Sequence, residues 1–115
     1  MKGMHQAGVL SSAKHFPGHG DTAKDSHLDL PLIRFDQERL FSTEIYPFDQ
    51  LMKAGVSSVM VGHLNVPAIE EGIPSSLSKK IIEEILIKRN NYKGLIITDA
   101  LNMGAASEVS KINSI

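Results

Sequence analysis

The stretch Gly55-Val56-Ser57-Ser58-Val59-Met60-Val61 is short, β-branched and led by a glycine, the form of a strand that leaves a turn and enters a sheet. Two further runs share that form: Val9-Leu10-Ser11-Ser12-Ala13-Lys14 behind Gly8, and Leu95-Ile96-Ile97-Thr98 behind Gly94. The intervals between them have a helical period. From Asp36 to Ala54, Leu40, Ile45, Phe48, Leu51 and Met52 recur at roughly helical spacing. Pro47 interrupts the pattern, so this interval reads as one broken helix or two short ones. In the second interval Ser78 can cap a helix whose Ile81, Ile82, Ile85 and Leu86 form an apolar stripe, ending near Asn90-Asn91.

Strand, helix, strand, helix, strand predicts an α/β fold made of βαβ units with a parallel sheet. A parallel sheet needs both faces covered. Three strands with two helices leave two open edges and one poorly covered face. That is a poor independent domain but a natural arc of a TIM (β/α)8 barrel, a fold of about 250 residues. Almost no structure is expected before Val9, so the chain reads as an incomplete barrel, a piece of something longer. The barrel portion is expected over residues 1–106, about three βα units from the C-terminal half, and residues 107–115 read as a polar tail or a truncated continuation.

The composition narrows the function. The chain has 115 residues, 12 Lys+Arg against 13 Asp+Glu, and a formal net charge of -1. Such a balance supplies no basic field to gather nucleic acid or an anionic membrane, so neither is expected as a partner. The absence of cysteine from the sequence removes disulfides, thiol nucleophiles and thiolate zinc sites together. No stretch approaches the roughly 18 apolar residues of a spanning helix, and Met1 to Gly8 lacks the apolar core of a signal peptide.

In parallel α/β folds, functional groups gather at the C-terminal ends of strands. Here the first strand runs into Lys14-His15-Phe16-Pro17-Gly18-His19-Gly20-Asp21-Thr22 and then Asp25-Ser26-His27. The second runs into Gly62-His63-Leu64-Asn65, and the third into Asp99-Ala100-Leu101. Asp99 follows three apolar residues and a threonine, which fixes its carboxylate to the sheet as suits a nucleophile. It could equally cap a short helix from Ala100 to Ala106. Asp25 and His27, two apart in a Gly/Pro-rich loop, can form a dyad in which the carboxylate orients the imidazole for acid/base work, or be incidental surface groups. Lys14 and His15 could bind a hydroxylated ligand, or Lys14 could pair with a carboxylate. Gly18 and Gly20 give the loop hinges, while His19 and His63 read as structural polar groups. His15, His19, Asp25 and His27 also admit a zinc-binding reading, although H-x3-H followed by D-x-H is not a recognised ligand pattern.

Taken together, Lys14 to Thr22, Asp25-Ser26-His27, and Gly94-Leu95-Ile96-Ile97-Thr98-Asp99-Ala100-Leu101-Asn102-Met103-Gly104-Ala105 resemble glycoside hydrolase family 3. The similar branch is that of the bacterial β-N-acetylglucosaminidases. Ala54-Gly55-Val56, Met60-Val61-Gly62-His63 and Pro74-Ser75-Ser76-Leu77-Ser78 look like the same family's connecting segments. The resemblance runs from about Gly8 to Ala106 and implies a retaining double displacement on a TIM-like barrel. By it, Asp99 is the nucleophile, His27 the acid/base oriented by Asp25, and Lys14 and His15 bind hydroxyls of the terminal sugar. The substrate implied is a terminal β-linked N-acetylglucosamine, plausibly in peptidoglycan fragments. No metal or organic cofactor is implied.

The mechanism gives the loop a purpose. Neighbouring strands lie about 4.8 Å apart, so the first and third are separated by roughly twice that, whereas retaining carboxyl pairs work at about 5–5.5 Å. An acid/base on the first strand itself would be too far from Asp99, so it must arrive on a loop that closes over sugar. The Asp-Ser-His segment favours an N-acetylglucosaminidase over a β-glucosidase of the same family, and some relatives with this histidine use phosphate as acceptor. Family enzymes take further sugar-binding Asp and Arg residues from strands that would precede Met1, so the missing barrel half is expected to be required for the full fold. An inert truncated fragment and a metal- or ligand-binding loop protein remain the rival readings. Any targeting segment would also precede Met1, which leaves cytoplasm and periplasm both open.

Overall fold

The computed structural model describes residues 1–19 and 30–101. Strands β1 (Ser12–Phe16), β2 (Ser58–Val61) and β3 (Leu95–Thr98) form one sheet in the order β1-β2-β3. Both pairings are parallel, with Ser58 opposite Ser12 and Leu95, and Val61 opposite Phe16 and Thr98. The expected α/β alternation and parallel sheet are therefore present. Among the described residues no helix is long and apolar enough to cross a membrane.

Two expectations at the N-terminus are corrected. Residues Lys2–Gln6 form a helix, α1, where almost no structure was expected. Gly8, at a φ of 78°, ends it: the Val9 N–H turns back to the Met4 carbonyl at 2.8 Å, closing the helix as a left-handed glycine allows. That bond spends the Val9 amide on the helix end instead of the ladder, so β1 starts at Ser12 and not at Val9. At its other end β1 continues through Lys14 and His15 to Phe16, residues read from sequence as the beginning of the loop. His5 ties α1 to the sheet, its Nε2 lying 2.8 Å from Ser11 Oγ and 3.2 Å from Ser57 Oγ.

The first interval is broken, as expected, but proline is not the cause. Helix α2 (Gln37–Arg39), capped by Asp36 Oδ1 on the Arg39 N–H at 2.8 Å, passes into a π-helical turn, Leu40–Glu44. Helix α3 (Tyr46–Lys53) follows. The Ile45 N–H reaches back five residues to Leu40 at 2.8 Å, and this widened turn re-aims the chain. Pro47 sits in the first turn of α3, where its missing N–H leaves no bond unmade. Leu40, Ile45, Phe48 and Met52 are buried, and Phe48 meets Phe16 of β1 edge-on with ring centroids 5.2 Å apart.

The second interval holds helix α4 (Lys80–Arg89), wound largely with π-helical bonds. Ser78 caps it as expected: its Oγ accepts from the Ile81 N–H at 3.1 Å and donates to Glu70 Oε2 at 2.5 Å. Ile81, Ile85 and Leu86 are buried, each contributing about 1.5–3 kcal/mol by leaving water. Arg89 Nη1 lies 2.8 Å from each Asp49 oxygen and its guanidinium stacks 4.7 Å over Phe41, which locks α4 to α3 and its preceding turn.

Burial is uneven in the way a partial barrel implies. Val59 and Val61 of the central strand are fully buried, whereas Leu95 of β3 is 63% exposed. The two outer strands thus carry the open edges that three strands and two helices leave.

Candidate active site

The site grows from the ends of the three strands. Asp99 is the first residue past β3, and its backbone N–H still donates to Val61 of β2 at 3.0 Å. That bond places the start of its side chain by the sheet. The carboxylate is then turned by a local bond, Oδ1 accepting from the Ala100 N–H at 2.9 Å. Its other oxygen, Oδ2, faces His15 of β1, whose Nε2 stands 3.8 Å away; this corrects the expectation that a side chain on the first strand would be too far from Asp99, because the two side chains converge across the end of β2.

These two residues belong to strands separated by β2, and a side chain on β2 would stand between them. The residue that follows β2 is Gly62, which carries no side chain. A Cβ at Gly62 would lie 3.2 Å from the His15 Cβ. The glycine lets the imidazole lie over the strand end and reach the carboxylate.

At 3.8 Å the pair is an electrostatic contact and not a hydrogen bond. Burial lowers the His15 pKa below its usual 6.5, and Lys14 and His19 push the same way, while Asp99 opposes them. Burial is the largest of these influences, so the fold favours the neutral imidazole, which donates through one nitrogen and accepts through the other. His19 stacks edge-on against His15 with centroids 5.7 Å apart. Lys14 is exposed beside them. The Lys14–His15 and Phe16–Pro17 peptide bonds are cis.

Asp25, His27 and Gly20 lie outside the described residues, as does the tail of residues 107–115. The stems of their loop are described. At the outgoing stem the Gly62 N–H donates to the Phe16 carbonyl at 3.0 Å. At the returning stem the Ile33 N–H donates to Asn65 at 2.9 Å and the Asn65 N–H to Pro31 at 2.8 Å. Both stems are therefore pinned to residues 62–65, the end of β2. Gly18 has a φ of 135°, and a Cβ there would lie 2.8 Å from that of Glu44, so its glycine meets a close approach as well as a turn. Among the described residues no group of three or more His, Cys, Asp or Glu is placed to hold a metal ion.

Sequence reasoning treated His63 as a generic polar strand end, and the structure gives it a specific place. It is buried, with Nδ1 2.5 Å from Ser76 Oγ and Nε2 2.9 Å from the Ala100 carbonyl oxygen. Beside it Ser75 Oγ donates to the Gly62 carbonyl at 2.6 Å and accepts from the Leu64 N–H at 3.1 Å. The visible signal was the pairing of Gly62-His63 with the Pro74-Ser75-Ser76 turn, whose partners are distant in sequence.

The chain is similar to known proteins over most of its length. The β-hexosaminidase of Haemophilus influenzae is 41% identical over 105 residues, 90% of this chain and 30% of that protein. The β-hexosaminidase A of Pseudoalteromonas piscicida is 34% identical over 94% of this chain and 20% of its own length. The solved family 3 β-N-acetylglucosaminidase from Paenibacillus sp. str. FPU-7 superposes with a TM-score of 0.89 at 44% identity, over 93% of this chain and 20% of that one. The chain thus spans less than a third of each of these relatives, and its parallel βαβαβ sheet is an arc of their TIM barrel. The family model for the glycosyl hydrolase family 3 N-terminal domain matches residues 1–114, and the chain belongs to that family.

Proposed function

We propose that this chain supplies the nucleophile and part of the sugar site of a retaining β-N-acetylglucosaminidase. Asp99 attacks the anomeric carbon of a terminal β-linked N-acetylglucosamine and forms a glycosyl ester. His27, oriented by Asp25, gives its proton to the departing oxygen. The same imidazole then takes a proton from water, which attacks the ester and releases the sugar with its configuration retained. Lys14 and His15 bind hydroxyls of the sugar ring, and Gly18 and Gly20 let the loop close over it. Peptidoglycan fragments are the natural class of substrate for such a site.

The observation that carries this reading is the presentation of Asp99. Its carboxylate stands at the end of a strand, turned by the Ala100 N–H, partly open to solvent, and faced by the His15 imidazole across a glycine. A carboxylate that only capped the following segment would not need that clearance. The names of the relatives support the sugar.

The test is intact-protein mass after incubation with an activated fluorosugar analogue of N-acetylglucosamine, which forms the ester quickly and releases it slowly. One sugar adduct, lost in Asp99→Asn, is the expected result. No adduct on the intact protein would overturn the assignment, and decay of the adduct accelerated by inorganic phosphate would make the enzyme a phosphorylase instead of a hydrolase.

A further inference from the structure

The mechanism above leaves unused the buried imidazole at the end of β2. Ala100 follows the proposed nucleophile directly, and its peptide groups are held on both sides. Its N–H donates to Asp99 Oδ1 at 2.9 Å, and its carbonyl oxygen lies 2.9 Å from His63 Nε2. A carbonyl can only accept, so Nε2 carries the proton. Nδ1 lies 2.5 Å from the Ser76 hydroxyl. The line runs from Ser76 through His63 and Ala100 to Asp99, with His63 donating to Ala100 and Ala100 to Asp99.

The origin of the line is rigid. His63, Ser75 and Ser76 are buried. Ser75 clamps Gly62 and Leu64 on either side of His63, and the Ser75 N–H donates to the Leu64 carbonyl at 2.8 Å. The imidazole therefore cannot follow Ala100 if that residue moves; it holds the residue in place. The far end is less enclosed, since Ala100 itself is exposed. Among the described residues, the other holds on the Asp99–Ala100 turn are the end of β3, the Asp99 N–H bond to Val61 and the local bond to Asp99 Oδ1.

We propose that His63 is a positioning residue for Asp99, acting through the Ala100 carbonyl, with Ser76 holding the orientation of its ring. The proposal rests on the reading of Asp99 as nucleophile for its catalytic consequence, and on geometry alone for the positioning. Misplacing a reacting group by about 1 Å can cost roughly a hundredfold in rate, whereas sugar binding, which uses other groups, should be little affected.

The experiment uses the intact protein with His63→Leu, His63→Gln and Ser76→Ala. Glutamine can donate from Nε2 to Ala100 and accept on Oε1, so it is the conservative variant, and Ser76→Ala keeps the imidazole while removing the hydroxyl that holds its Nδ1. Three quantities are read: exchange of the Ala100 amide proton by NMR, the rate of fluorosugar ester formation, and affinity for free N-acetylglucosamine. In His63→Leu the amide should exchange about fivefold faster and ester formation should fall about a hundredfold, with sugar affinity held within about twofold. His63→Gln should recover most of both losses, and Ser76→Ala should fall between. Equal losses in the glutamine and leucine variants that simply follow their melting temperatures would overturn the proposal. A wild-type protein that forms no ester would overturn the hydrolase reading instead. The Ala100 amide would still decide the positioning, and unchanged exchange in His63→Leu would refute it.

Discussion

His15 Nε2 and Asp99 Oδ2 stand 3.8 Å apart although β2 lies between their strands. Adjacent strands are separated by about 4.8 Å, so the contact spans roughly two strand spacings and depends on the missing side chain of Gly62. Gly62→Ala should place a methyl group 3.2 Å from the His15 Cβ and turn the imidazole away. We expect kcat/KM for an aryl N-acetylglucosaminide to fall about tenfold while stability changes by about 1 kcal/mol, at the low end for overpacking. Steady-state kinetics beside thermal unfolding check this, and an unchanged kcat/KM would remove His15 from the sugar site.

The lowered pKa of His15 has a signed consequence. The folded protein resists the charged imidazole more than the unfolded chain does, so below the usual pKa of 6.5 the unfolded state binds more protons. His15 therefore costs no stability above that pH and increasingly destabilises the fold as pH falls from 6.5 through its lowered native value. His15→Gln should flatten the acid limb of a melting-temperature profile between pH 7.5 and 5. A parallel profile would show that burial of His15 has no such effect.

Gly94 offers a test of the fold away from the site. A Cβ there would collide with the Tyr92 ring and come within 2.9 Å of the Ser57 carbonyl oxygen. The Tyr92 hydroxyl is itself engaged, donating to the Val56 carbonyl at 3.1 Å. Gly94→Ala should destabilise the protein by about 2–3 kcal/mol through overpacking against backbone, and Tyr92→Phe by about 1 kcal/mol through the lost bond. Denaturant unfolding distinguishes the two sizes.

Ser78 caps α4 and also donates to Glu70. Ser78→Ala should cost about 1 kcal/mol, and Ser78→Asp should keep the cap but set two carboxylates together. Unfolding free energies that rank serine above both variants would confirm that the hydroxyl serves as acceptor and donor at once.

The strands and helices were legible because their signals are local: glycine-led β-branched runs, a stripe at Ile81, Ile85 and Leu86, and a serine three residues before the first of these. The start of β1 was misread because the amide of Val9 had a competing partner in α1, a helix of five residues with no buried side chain. Pro47 misled for a related reason: a proline interrupts a helix only when it falls in the interior, and a π-helical turn upstream had already divided the segment. At the site, Lys14, His15 and Asp99 stood out by type and position. The clearance made by Gly62 and the line through His63 did not, since both depend on neighbours that only the parallel register brings together.

The stems of the 17–30 loop are both fastened to the end of β2, at Phe16–Gly62 and at Pro31–Ile33 with Asn65. With anchor points so close, changing the number of residues between them alters the closure entropy slowly, by about 0.6 kcal/mol for each doubling in length. The segment is in that sense a cassette. Engineered exchanges can change the length of that segment at little cost, while the sheet that carries Asp99 keeps its register.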